Sequence, residues 1–210
     1  MDVIDGVLIR LIESRDAVQA SQCWVTGLKQ TSESAPEEKR EELESFFREY
    51  ARKECEEGGG IGPDGMALIN TWHHDPAGSV DRDCRMFVAV REDTDTANGE
   101  RDTKPPTHAV LGLVGVKRGM DTREFPIDAS QEDYSVFSIW KMSVSEDARG
   151  LGLGRRLMAA AEQWAKGRPN AEVMRLYTGN SIAAKFYTSE KIGYEEITKD
   201  IHASTYEKKL

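Results

Sequence analysis

The sequence predicts a mixed α/β fold, and three observations carry that expectation. Apolar, strand-like runs alternate with polar connections through the first 144 residues, as in a meander. The last third then reads strand, helix, strand, helix before two closing strands. Between an apolar strand and an amphipathic helix stands a glycine-rich string, RGLGLGRR at 149–156.

The bulk numbers set the frame. The chain has 210 residues, enough for one sizeable core, so one domain over 1–210 is expected. Charged residues make up 31%, hydrophobic residues 39%, and the mean hydropathy is −0.57. The longest apolar runs fall far short of the roughly 20 residues that span a membrane. The start, MDVIDGVLIRLIESRD, has early acids and lacks the basic opening of a secretory signal, so a cytoplasmic protein is expected. The net charge of −9 and pI near 5.1 argue against a general nucleic-acid binder, which carries a basic patch. Three widely spaced cysteines, Cys23, Cys55 and Cys84, form neither a disulfide framework nor a CxxC pair. His73, His74 and Asp75 have no partner ligands at helical or ribbon spacing, so no metal is expected.

The elements follow in order. Residues 7–12, VLIRLI, start a sheet, and a helix through Val18 and Trp24 follows. Ser34, Ala35, Pro36 and Glu37 read as a capping box with proline just inside a second helix. Leu43, Phe46, Phe47, Tyr50 and Ala51 recur at helical spacing until Gly58, Gly59 and Gly60 stop it. Residues 58–83 are rich in Gly, Asp and Pro and read as loop. A strand at 85–90 and its partner at 108–116 flank 91–107, a polar run that cannot pack a core and reads as an exposed, flexible insertion. Residues 117–133 are another polar connection. The strand at 134–144 places Tyr134, Val136, Trp140, Met142 and Val144 on one face by strict alternation. Leu153, Leu157, Ala160, Ala161 and Trp164 mark the next helix, and 172–178 is a strand. A helix at 181–191 buries Ile182, Ala183 and Phe186, and strands at 194–198 and 203–208 close the chain.

The glycine string carries the chemistry. Glycines turn tightly and let a ligand approach the backbone. A helix start presents unpaired N–H groups with partial positive charge. Together they form a cradle for phosphate or pyrophosphate, and Arg149, Arg155 and Arg156 add charge. A P-loop, GxxxxGK[ST], is absent. A GxGxxG dinucleotide fingerprint fails, because its third glycine falls on Arg155 or Leu157. The remaining pattern, R/Q-x-x-G-x-G/A, is filled by Arg149, Gly152 and Gly154. Taken alone, such a loop is also compatible with a tight turn that binds nothing.

WKMSVSEDARGLGLGRRLM resembles the central motif of the GCN5-related N-acetyltransferase (GNAT) family. Asn180, Ala183, Phe186 and Tyr187 fit that family's N-x-x-A-x-x-F-Y string, and Ile192-Gly193-Tyr194 stands where L-G-F is usual. The resemblance covers about 134–198. It implies a GNAT fold: a mixed, mostly antiparallel twisted sheet of 6–7 strands, flanked by about four helices and splayed between the fourth and fifth strands. It implies transfer of acetyl from acetyl-CoA, as co-substrate without metal, to a primary amine of a small molecule, peptide or protein.

Residue by residue, the resemblance implies that Met142, Ser143 and Val144 hydrogen-bond the pantetheine arm and acetyl carbonyl through their backbone. Arg149, Gly150, Leu151, Gly152, Leu153, Gly154 and Arg155 would hold the pyrophosphate, mainly by main-chain N–H groups. Asn180 would contact the arm or cap its helix, with Ala183 and Phe186 beside it. Tyr187 would protonate the departing thiolate, since a phenol stays protonated at neutral pH. The carboxylate that many members place on the central strand is missing, and Ser138 stands there. The base is left open between a water chain, Glu132, Asp133, His108 and His202. The acceptor would lie by the first two helices, where Glu37, Glu38, Glu41, Glu42 and Glu44 form either a cation-attracting face or a solvated one. Monomer and homodimer are both compatible. The competing reading is a CoA-binding regulatory module without activity.

Overall fold

The computed structural model describes residues 6–33, 84–92, 108–119, 135–199 and 203–210, together with Glu37, Glu41 and Ser45. In chain order these form β1 (Val7–Leu11), α1 (Ala17–Glu33), β2 (Cys84–Glu92), β3 (His108–Arg118) and β4 (Val136–Val144). Then come α2 (Leu153–Lys166), β5 (Val173–Thr178), α3 (Ser181–Tyr187), β6 (Glu195–Lys199) and β7 (Ser204–Lys209). The seven strands make one sheet in the order β1-β2-β3-β4-β5-β7-β6. Every neighbouring pair is antiparallel except β4 and β5.

Each face of the sheet has its own core. One joins α2 and α3 to the sheet through Leu153, Leu157, Met158 and Ala161, packed with Phe137, Ile139 and Met174. Spacing of about one turn puts these α2 residues on a single stripe. The other core joins α1 to the sheet through Ala20, Cys23 and Trp24, packed with Met86, Val88 and Leu113.

The structure departs from the sequence-based expectations at four places. Arg91 and Glu92 continue β2, and Lys117 and Arg118 continue β3, because the hydrogen-bonded ladder holds them whatever their polarity. α3 ends at Tyr187 and does not reach 191. Thr188 Oγ1 donates to Ala184 O (2.9 Å) and Ser189 Oγ to Phe186 O (2.6 Å), which consumes the carbonyls of the last turn. Ile182 lies in the first turn of this short helix and is 65% exposed, so it leaves the packed side, which Ala183 and Phe186 form together with Ala184 and Tyr187. Finally, the alternation on β4 breaks. Gly115 pairs with Trp140 and Leu113 with Ser143, so two β4 residues oppose Val114 alone. This β-bulge turns Trp140 toward the α1 core, while Met142 and Val144 face the α2 core. The second helix (except Glu37, Glu41 and Ser45), Tyr134 and the polar runs 93–107 and 120–133 lie outside the described residues.

Two local devices hold this arrangement. Gly115 leaves room for the Trp140 ring: a Cβ there would stand 2.6 Å from Cδ1 and 3.0 Å from Cε2. Gly115→Val is therefore expected to cost about 1–3 kcal/mol by overpacking, read as a lower urea midpoint. The second device ties β1 to α1. Asp16 is fully buried and receives Arg10 Nη1 (2.6 Å), Arg10 Nη2 (2.9 Å) and the Glu13 N–H (2.7 Å). His108 Nε2 lies 3.0 Å from the same carboxylate. Burial alone raises the Asp16 pKa, but the Arg10 and Glu13 hydrogen bonds and the Arg10 and His108 charges outweigh it. The net pKa lies below the ordinary carboxylate value. Asp16 therefore contributes stability above about pH 4, and that stability fades as pH falls through its lower folded value. Asp16→Asn is expected to cost about 3–5 kcal/mol at neutral pH and to flatten the acid limb of a stability–pH profile. An unchanged acid limb would place its source elsewhere.

Candidate active site

The parallel ladder between β4 and β5 covers only Val136–Ser138 against Val173–Arg175. β5 pairs with β7 on its other edge along its whole length, but beyond Arg175 it has no β4 partner, because β4 turns through its bulge and the two strands splay. Lys141 sits in the bulge with φ 51°, an uncommon conformation for a residue with a Cβ. Its Nζ lies 4.5 Å from the Trp24 ring of α1 and 4.9 Å from the Trp140 ring. These cation–π contacts stabilise the strained residue from the α1 side.

The glycine loop stands next to the end of β4, and its glycines serve different purposes. Gly150 (φ 81°) and Gly152 (φ 72°) adopt left-handed backbone that favours glycine. Gly152 is the N-cap of α2, and no side chain caps that helix. Arg156 N–H is the first to bond back, to Gly152 O at 3.2 Å, which leaves the Leu153, Gly154 and Arg155 N–H groups at the helix start. Gly154 is needed for packing: a Cβ would lie 3.2 Å from Phe186 Cζ and 3.4 Å from Met142 Cε. Met142 of β4, Gly154 of α2 and Phe186 of α3 thus meet.

Tyr187 joins this group from α3. Its ring stands edge-on to Phe186 (centroids 5.2 Å apart) and tilted against Tyr194 (6.1 Å). Tyr194 N–H donates to Tyr187 O at 3.0 Å. Burial pushes the Tyr187 phenol well above its ordinary pKa, so the hydroxyl is protonated throughout the physiological range. Asn180 caps α3, with Oδ1 accepting from Ile182 N–H (2.8 Å) and Ala183 N–H (3.1 Å). Its helix-capping role is therefore realised.

The other expected positions divide between backbone and side chain. Leu153 is buried in the core, and Ser143 Oγ turns away to donate to Cys23 O of α1 (3.0 Å), so each offers only its backbone to the splay. Ala183 packs on the α2 core. Leu151, Arg149 and Arg155 are exposed on the loop. Arg156 faces away and donates to Val7 O (2.9 Å), so it ties α2 to β1. Ser138 donates to Gly119 O (2.6 Å). His108 is engaged by Asp16, and its carbonyl accepts from Gln19. Glu132, Asp133, His202 and the His73-His74-Asp75 string lie outside the described residues.

Sequence reasoning missed a cleft of about 460 Å3 on the α1 side of the β4 end. Gln22, Cys23 and Thr26 of α1 face Val144, Glu146 and Asp147 across it. Gly27 permits the close approach of α1, because a Cβ there would overlap Ser143 Oγ. A glycine inside an otherwise helical stretch was the available signal. Among the described residues no group of three or more His, Cys, Asp and Glu is placed to hold a metal ion, and no helix is long and apolar enough to cross a membrane.

A mixed seven-stranded sheet that splays at its single parallel pair, with a glycine loop and helix start at the splay, defines the acetyltransferase class of α/β folds. The model of the acetyltransferase (GNAT) family matches residues 65–194, more than half of the chain, and the chain belongs to that family. Solved structures agree on the fold. The PaiA N-acetyltransferase of Thermoplasma acidophilum, solved in complex with coenzyme A, matches with TM-score 0.59 and 19% identity, over 97% of this chain and 99% of that one. A GNAT-family acetyltransferase of Listeria monocytogenes 4b F2365 matches with TM-score 0.56 and 12% identity, over 97% and 95%. Another from Staphylococcus aureus Mu50 matches with TM-score 0.55 and 14% identity, over 97% and 99%. No curated protein matches significantly.

Proposed function

We propose that this chain, as one domain, transfers acetyl from acetyl-CoA to a primary amine by direct attack in a ternary complex. The observation that carries this reading is the meeting of three features: the bulged, unpaired stretch of β4, the uncapped start of α2, and the protonated Tyr187 beside Phe186. In this reading the pyrophosphate sits on the N–H groups at Gly152–Arg155, helped by Arg149 and Arg155. The pantetheine arm enters the splay and bonds the backbone of Met142, Ser143 and Val144, with Asn180 and Ala183 flanking it.

The neutral amine attacks the thioester carbonyl, and a β4 backbone N–H stabilises the oxyanion. The tetrahedral intermediate collapses, the C–S bond breaks, and Tyr187 gives its proton to the thiolate. The amine proton leaves through water, and the phenolate recovers a proton from solvent. Holding both substrates in one groove supplies most of the acceleration. Calorimetric titration of acetyl-CoA, followed by a thiol-release screen over amines, tests the reading. Micromolar binding with release on an amine supports it. Binding without release on any amine favours the regulatory module, for which the absence of a carboxylate on β4 speaks.

A further inference from the structure

The bulged stretch of β4 is gripped from α1 at two neighbouring side chains. Met142 faces the α2 core, whereas the residues before and after it, Lys141 and Ser143, reach to α1. Ser143 Oγ donates to Cys23 O (3.0 Å), and Gly27, one turn further along α1, lets the helix come this close. Lys141 is buried. Its Nζ reaches two indoles, Trp24 of α1 at 4.5 Å and Trp140 of β4 at 4.9 Å. The Trp140 ring also carries Lys117 Nζ of β3, at 4.8 Å, and has its room because residue 115 is glycine. One helix and two strands therefore converge around the Lys141 side chain.

The backbone needs such a grip. Lys141 has φ 51°, and a residue with a Cβ leaves that conformation unless its surroundings hold it there. The strand pairing shows what depends on it. Gly115 pairs with Trp140 and Leu113 with Ser143, so Lys141 and Met142 are the two residues set against Val114. A bulge bends its strand and re-aims the residues that follow. Those residues are Met142, Ser143 and Val144, whose backbone is proposed to bond the arm and the acyl carbonyl. An oxyanion donor works when it is fixed in advance, and a misplacement of about 1 Å costs on the order of 100-fold in rate.

We propose that Lys141 is a positioning residue for acetyl transfer: its ammonium, held by the Trp24 and Trp140 rings, fixes the bulge so that the β4 backbone beyond it points into the splay. The proposal rests on the acetyltransfer reading and adds to it a residue that acts through the backbone rather than on a substrate. Lysine suits the place. Its long chain spans from the bulge to the α1 ring, and the attraction of a cation to an indole strengthens when water is excluded.

The test compares Lys141→Met, which keeps an unbranched chain without its charge, with Lys141→Arg, which keeps a cation. In the full chain, on the best amine of the screen, Lys141→Met is expected to lower kcat at least about tenfold. Acetyl-CoA affinity by calorimetry should stay within about threefold, because the proposed pyrophosphate seat on α2 is untouched. Hydrogen exchange at 140–145 should quicken at least about tenfold while exchange in α2 stays as it was. Lys141→Arg should recover most of both losses. Trp24→Phe, a weaker ring for a cation, should show a smaller loss of the same kind, and adding it to Lys141→Met should cost nothing further. If arginine is too large for the place, the additivity of the Trp24 and Lys141 losses decides. Unchanged kcat or unchanged exchange in Lys141→Met would overturn the proposal. So would exchange that quickens through α2 as well, which marks a general loss of stability, or Trp24 and Lys141 losses that simply add. If the unmodified chain releases no thiol on any amine, the acetyltransfer reading falls, and the exchange pattern then decides alone whether Lys141 holds the bulge.

Discussion

Gly152→Asp is expected to weaken acetyl-CoA binding by more than about 100-fold while the protein stays folded. A Cβ at this position meets no atom within 4 Å, so the protein itself has room for it. The backbone resists instead, because Gly152 has φ 72°, and a left-handed L-residue costs about 1–2 kcal/mol. That cost lowers the thermal midpoint by a few degrees without unfolding the chain. The larger effect falls on the ligand. The new carboxylate stands at the start of α2, where the unpaired N–H groups would hold a pyrophosphate, and it both blocks and repels the anion. Gly152→Asn separates the two effects, since Asn tolerates left-handed backbone and carries no charge. Its loss of affinity should be much smaller. Affinity retained in the Asp variant would remove this loop as the phosphate cradle.

Tyr187→Phe is expected to lower kcat by about 100-fold or more and to leave acetyl-CoA affinity within about twofold. The ring contacts with Phe186 and Tyr194 survive in the variant, so α3 keeps its packing. Only the hydroxyl proton is lost, the one proposed to go to the departing thiolate. The raised pKa of the buried phenol means that the acid stays protonated at neutral and mildly alkaline pH. Activity in the unmodified enzyme should therefore show no alkaline limb from this group near its ordinary value, about 10. Unchanged turnover in the Phe variant would remove Tyr187 as the acid.

The two substitutions probe opposite ends of the proposed site, and the local structure at both ends was legible in the sequence for a common reason. The glycines at 150, 152 and 154 and the run Asn180 to Tyr187 act through local geometry. A turn, a helix start and a cap are decided by residues within a few positions of one another. The cap shows this plainly: Asn180 was expected ahead of a helix, and its Oδ1 accepts from two N–H groups there. The strands were legible too, apart from ends such as Arg91 and Lys117, where the ladder overrides polarity.

What was not legible depends on residues far apart in the chain. The splay was implied only by resemblance, and the bulge behind it could not be read from β4 alone. It is set by Gly115, which admits Trp140, and by Trp24, whose ring faces Lys141 across more than a hundred residues of chain. Strict alternation therefore put Trp140 and Met142 on one face, and the structure puts them on two. Likewise Arg156 reads as one more charge on the loop until β1 is seen to take it. Glu146 and Asp147 carry no sign in the sequence of the cleft that α1 closes against them through Gly27.

By itself, then, the sequence determined the order of elements, the family motifs and the positions of the turn-forming glycines, because short-range sterics and hydrogen bonding decide those. Only the tertiary structure decided which face each β4 residue takes, which charges are engaged in structure and where a cleft opens between α1 and the end of β4. Those depend on contacts between residues brought together by packing, and no local pattern encodes which partner will be there.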